Sequence, residues 1–141
     1  MNKILVIDGD EAIRLLFADE LTEEGYEVIT SGDGSQVMEL IEQKRPDLIL
    51  MEAVLGQYDG LDLLQDIRNT FYRMPVILCT AYSHFRYDLR SIAADHYVVK
   101  SSDLTELKVR IKMAMEASGQ YLVETTVDTR QHLVTPLEEV R

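Results

Sequence analysis

Pro46-Asp-Leu-Ile-Leu-Met-Glu-Ala-Val-Leu-Gly-Gln-Tyr-Asp-Gly60 decides the fold of this chain. A Pro-Asp turn opens it, four apolar residues follow at Leu48 to Met51, and a carboxylate stands at Glu52 before a Gly-containing loop returns to Asp59-Gly60. An unbroken apolar run between turn signals predicts a central parallel strand, covered on both faces. Glu52 then lies at the carboxyl end of that strand. In open α/β sheets this is the edge where ligands and chemistry collect.

On the amino-terminal side, Lys3-Ile-Leu-Val-Ile-Asp8 predicts a first buried strand, and Gly9-Asp10-Glu11 turn the chain into a helix with Ile13, Leu16, Phe17 and Leu21 at helical spacing. Gly25 ends that helix. Asp10 and Glu11 sit at its positive end, where carboxylates are favourable in any case. Glu27 to Thr30 predicts a second strand, and Val37, Leu40 and Ile41 a second helix that stops before Pro46. Gly32 and Gly34 lack the third glycine of a phosphate-binding fingerprint.

On the carboxyl side, a third helix carries Leu61, Leu64, Ile67 and Phe71, and Val76-Ile-Leu-Cys79 forms a fourth buried strand ending at Thr80. Phe85, Leu89, Ile92 and Ala93 recur at helical spacing. Tyr97-Val-Val99 is a short fifth strand with Lys100 at its end. A last helix opens at Ser102-Asp103, buries Leu104, Leu107, Ile111, Ala114 and Met115, and is expected to close at Gly119. Strands alternating with helices give an α/β fold: a doubly wound five-stranded parallel sheet of order 2-1-3-4-5, flavodoxin-like in topology.

The 141 residues suit one domain. A net charge of -11, from 14 basic and 25 acidic residues, argues against direct nucleic-acid binding. The lone Cys79 cannot form an internal disulfide and is expected in the core. Ile4 to Ile7 is too short for a signal-peptide core, and no run is long enough for a bilayer, so a soluble cytoplasmic protein is expected, with no membrane partner.

The predicted sheet gathers Asp8, Glu52, Thr80 and Lys100 at one edge, with Asp10 a turn away. Carboxylates, a hydroxyl and an ammonium group in one crevice must compensate one another. Lys100 with Glu52 or Asp8 is the obvious pair, and a purely structural salt bridge would satisfy that pattern by itself.

From Lys3 to about Ala117 the chain resembles the CheY-like receiver domains of bacterial response regulators. The acidic end of the first strand, the PDLIL strand, the return to Asp59-Gly60, the Thr80-Ala81 pair and Tyr97-Val-Val-Lys100 carry the resemblance. It implies phosphorelay signalling, in which a histidine kinase passes a phosphoryl group to an aspartate after the third strand with the help of Mg²⁺. By the same resemblance Thr80 is the switch hydroxyl, Tyr97 the aromatic reporter and Lys100 the phosphate-binding lysine.

The acid half departs from that pattern. Glu52 occupies the phospho-acceptor position, and Gly9 replaces one member of the usual acidic pair, leaving Asp8 and Asp10 as the acidic pocket. Mg²⁺ demands near-octahedral oxygen ligands, so its binding is expected to be weak or absent and no cofactor is expected. The extra methylene carries the carboxylate roughly 1.5 Å further than an aspartate would. In-line transfer loses about a hundredfold for a misplacement on the order of 1 Å.

Gly56 stands where the family loop usually has proline, and Ser101 where proline commonly follows the lysine. The stretch from Thr80 to Lys100 is shorter than usual, which implies a shortened or distorted fourth helix. Tyr82, Phe85, Tyr87 and Tyr97 lie around the face of fourth helix, fifth strand and fifth helix, through which receivers usually signal.

The expected division is a receiver domain over residues 1–118 and an extension over 119–141. In the extension, residues 121–127 read as a strand, 128–131 as a turn, and 132–134 as a return strand, with a linker as the alternative. Thr135-Pro-Leu-Glu138 resembles a helix opening.

The expectation is therefore an atypical receiver, a non-enzymatic and phosphorylation-independent interaction module. Its partners would be a histidine kinase, a phosphotransfer protein or an output protein, or a second copy through the signalling face or the tail. A working phospho-switch using Glu52 or a nearby aspartate with Mg²⁺ is the alternative. A flavodoxin-like ligand carrier shares the topology but would need a phosphate-cradling loop that is missing here.

Overall fold

Alternation along the apolar strands supplies two hydrophobic faces. Leu5, Ile7, Ile49, Met51, Val76 and Leu78 point to one side, where Val37, Ile41, Leu61, Leu64 and Ile67 cover them. Ile4, Val6, Leu48, Leu50, Ile77 and Val98 point to the other, against Phe17, Leu21, Leu107 and Ile111. Neighbouring side chains on a strand face opposite ways, so a continuous apolar run needs helices on both sides.

The computed structural model describes residues 2–131. In chain order it contains β1 (Lys3–Ile7), α1 (Glu11–Glu23), β2 (Glu27–Ser31), α2 (Val37–Lys44), β3 (Leu48–Met51), β4 (Val54–Leu55), β5 (Tyr58–Asp59), α3 (Gly60–Thr70), β6 (Val76–Thr80), β7 (His96–Val99) and α4 (Thr105–Gln131). The main sheet is parallel with order β2-β1-β3-β6-β7, the expected 2-1-3-4-5 arrangement once the small antiparallel β4-β5 hairpin is set aside. Register places the chemistry. Ile7 pairs with Met51 and Thr80 with Val99, so Asp8, Glu52, Thr80 and Lys100 reach one edge together.

The hairpin replaces the loop expected after Glu52. Gly56 forms its turn at φ +63°, a left-handed conformation that proline, fixed near -65°, cannot adopt. Gly60 lets the return strand approach closely: a Cβ there would stand 2.5 Å from the Glu52 carbonyl oxygen and 2.7 Å from that of Ala53.

Two expectations require correction. The crossover between β6 and β7 contains no α-helix; two 3₁₀ turns, His84–Tyr87 and Leu89–Ala93, take its place. Asp88 separates them in an extended conformation, and its side chain accepts the Arg90 amide proton, so a local side-chain bond displaces the helical one. Phe85 and Ala93 pack inward, but Leu89 and Ile92 are 81% and 75% exposed, not part of a buried stripe.

The second correction concerns the carboxyl end. Instead of closing at Gly119, α4 continues to Gln131, through the residues expected to form a strand and a turn. A helix satisfies each added amide within itself, whereas a lone hairpin is marginal without a sheet to join. The return strand at 132–134 and the helix opening at 135–138 lie outside the described residues.

Candidate phosphoryl-site pocket

Three charged side chains meet at the strand ends. Lys100 Nζ lies 2.7 Å from Asp8 Oδ2 and 2.7 Å from Glu52 Oε1. Both carboxylates are buried, and Lys100 is 19% exposed. Backbone ladders fix all three: the Asp8 amide donates to the Ser31 carbonyl at 3.1 Å, the Glu52 amide to the Ile7 carbonyl at 2.9 Å, and the Lys100 amide to the Thr80 carbonyl at 2.8 Å.

The second oxygen of each carboxylate is also engaged. Glu52 Oε2 accepts hydrogen bonds from the amides of Ala53 at 2.7 Å and Val54 at 3.1 Å, so the longer side chain folds back on its own loop. Asp8 Oδ1 accepts from the Asp10 amide at 2.9 Å. Buried carboxylates with these partners are satisfied without an added ligand.

Asp10 is not directed to the pocket. It is exposed, and its Oδ1 accepts from the Ala12 amide at 2.9 Å as the N-cap of α1. A Cβ at Gly9 would meet nothing within 4 Å, so the backbone leaves room there for a side chain the sequence does not supply. Arg14, which sequence reading passed over, donates from Nη1 to the Asp8 carbonyl at 2.6 Å and packs over Gly32. Its only sequence signal is a cation one turn after the Asp10 cap.

Thr80 is fully buried at the end of β6, with Oγ1 accepting from the Tyr82 amide at 3.4 Å. Tyr97 is half-buried against the core, its hydroxyl donates to the Tyr82 carbonyl, and the Arg86 guanidinium lies 4.9 Å from its ring centroid. Of the residues singled out in the sequence, Asp8, Glu52 and Lys100 are in direct contact, Thr80 ends β6 and Tyr97 lies in the adjoining β7, and Asp10 stands apart as a cap.

Burial pulls the Lys100 ammonium down, but the hydrogen bonds and charges of Asp8 and Glu52 outweigh it and hold its pKa above the ordinary lysine value. Burial raises the Tyr97 hydroxyl, against the opposing Arg86 charge. Burial also pushes the neighbouring Cys79 thiol up to about 12.

In this arrangement the pocket's carboxylate oxygens are engaged by the chain's own groups. Position 9 offers no side-chain oxygen, the Asp10 carboxylate caps a helix, and the facing oxygens of Asp8 and Glu52 hold an ammonium group. Among the described residues, no three His, Cys, Asp or Glu side chains group as metal ligands. Nor is any described helix long and apolar enough to cross a membrane.

The family profile described as "Response regulator receiver domain" matches residues 4–112. The alkaline phosphatase synthesis transcriptional regulatory protein PhoP of Bacillus subtilis is 31% identical over 120 residues, covering 83% of this chain and 50% of the relative. The probable transcriptional regulator ycf27 of Porphyra purpurea is 33% identical over 121 residues, covering 84% and 49%. This chain therefore spans about half the length of these curated relatives. Among solved structures, the response regulator TrrA of Thermotoga maritima, in complex with Mg²⁺-BeF, is 40% identical with a TM-score of 0.79, covering 81% of this chain and 99% of TrrA. TrrA has also been solved in complex with the histidine kinase ThkA, where identity is 39%, the TM-score 0.76, and coverage 81% of this chain and 98% of that one.

Proposed function

The chain belongs to the receiver-domain family of two-component response regulators, and from that premise we propose that it acts as a non-enzymatic interaction module which works without a phosphoryl group or Mg²⁺. The observation that carries this reading is the engagement of both Glu52 carboxylate oxygens, one by Lys100 and one by the Ala53 and Val54 amides. A nucleophilic oxygen has to point in line at the phosphorus of a donor. Oε2 points into its own loop.

Lys100 supplies the positive charge that two buried carboxylates require. The same ammonium group would otherwise be available to gather phosphoryl oxygens. Its double engagement supports a pocket closed by the chain's own side chains, and Gly9 removes the ligand with which Mg²⁺ could compete.

Its partners are then proteins of a phosphorelay. TrrA bound to ThkA shows a kinase engaging a related receiver, and the proposal extends to a histidine kinase, a phosphotransfer protein or an output protein for this chain. The named relatives are transcriptional regulators about twice as long; an effect on transcription would come through such an output partner or segment.

Retention of Thr80 and Lys100 at the strand ends favours the second reading, a phospho-accepting switch. Calorimetric titration with Mg²⁺ distinguishes the two. No binding at millimolar Mg²⁺ is expected for this chain, with binding gained by the double variant Gly9→Asp, Glu52→Asp. Saturable binding to the unaltered chain would overturn the first reading.

A further inference from the structure

Outside the pocket, Arg90 in the β6-β7 crossover meets three carboxylates. Arg90 Nη1 lies 3.0 Å from Asp59 Oδ2 and 2.6 Å from Asp62 Oδ1, while Nε and Nη2 bond the two oxygens of Asp88 at 3.1 and 2.7 Å. One edge of the guanidinium thus makes a bidentate fork with the crossover's own carboxylate, and the other edge grips the first turn of α3.

Asp59 caps α3 and Asp88 caps the second 3₁₀ turn, so Arg90 joins two chain segments at their caps. Gln65 Nε2 donates to the Arg90 carbonyl at 3.2 Å, and Arg68 grips the Ala93 carbonyl from Nε at 3.0 Å and Nη2 at 2.7 Å. On the opposite side, the Tyr82 amide bonds Thr80 Oγ1 at 3.4 Å, and Tyr97 meets the crossover through the Tyr82 carbonyl and the Arg86 guanidinium.

We propose that Arg90 is a latch that fixes the crossover against α3 and displays Tyr87, Leu89 and Ile92 in one arrangement, whatever the state of the Glu52 pocket. The three side chains are 85%, 81% and 75% exposed, so contacts of their own do not hold the turns in place. The latch does. Exposed ion pairs are individually weak, but without Arg90 the carboxylates of Asp59, Asp62 and Asp88 would face one another across the seam, and repulsion would replace the fork.

The latch rests on the reading of the pocket as a site that does not switch, yet it fails separately. Phosphoryl labelling of the chain would overturn the pocket reading; amide exchange tests the latch. The reporters are the Asp88, Ser91 and Ala94 amides, which bond to the Phe85, Asp88 and Ser91 carbonyls at 3.0 Å each.

Hydrogen exchange should be measured on the chain, on Arg90→Gln and on Glu52→Gln. In Arg90→Gln these three amides should exchange about tenfold faster while β1 and β3 keep their protection. In Glu52→Gln they should stay within about twofold of the unaltered chain. Arg90→Gln amides within that same range, or equal acceleration by both variants, would overturn the latch. Should Arg90→Gln not fold, the unaltered chain in about 1 M salt, where the Debye length is near 3 Å, gives a second reading. Selective acceleration of the crossover amides supports the latch, and its lack overturns it.

Discussion

The Lys100 ammonium stands 2.7 Å from Glu52 Oε1 while holding Asp8 at the same distance. Replacing it would leave two buried carboxylates facing each other. Lys100→Met should therefore destabilise the chain by about 3 kcal/mol, read as a lower urea midpoint with an unchanged slope. A change under about 0.5 kcal/mol would show the pair to be weakly coupled.

Gly60 is held to its type by the backbone it touches. The Glu52 and Ala53 carbonyl oxygens would lie 2.5 and 2.7 Å from an added Cβ, and neither is the flexible end of a side chain. Gly60→Ala should cost about 1 to 3 kcal/mol in chemical denaturation. At Gly9, where nothing lies within 4 Å of the added atom, Gly9→Ala should stay within about 0.5 kcal/mol.

Alkaline pH should weaken the fold through Cys79. Burial raises its thiol from 9.0 to about 12, so the folded state keeps a proton that the unfolded state loses. That contribution is whole below pH 9 and disappears as pH rises toward 12. Lys100, also raised, acts with the same sign at higher pH, its contribution being lost as pH climbs through its folded value. Between pH 9 and 11, stability under reducing conditions should fall by about 2 kcal/mol more in the unaltered chain than in Cys79→Ala. Parallel pH profiles would contradict this.

The sheet was legible because each strand carries a buried apolar run that only a doubly covered parallel sheet accommodates, and Pro46, Gly25 and Gly60 punctuate it. Asp8, Glu52, Thr80 and Lys100 were legible for a related reason: each is the polar residue at or just after the end of such a run. The crossover was legible only in part: its shortness implied a shortened or distorted helix, but not its replacement by two 3₁₀ turns. Phe85, Leu89, Ile92 and Ala93 have helical spacing, but spacing carries no information about Asp88, whose side chain caps a second turn and interrupts the helix. Arg90 escaped notice because its partners Asp59 and Asp62 are about thirty positions away in sequence. The strand expected over 121–127 contains the β-branched Val123, Thr125, Thr126 and Val127, whose strand preference depends on a sheet edge to join.

Intact-mass measurement after incubating the chain with a small-molecule phosphodonor and Mg²⁺ tests the closed pocket most directly. The unaltered chain should show no added phosphoryl mass, while Gly9→Asp, Glu52→Asp gains one. A stoichiometric, acid-labile phosphoryl adduct on the unaltered chain, lost in Glu52→Gln, would contradict the account.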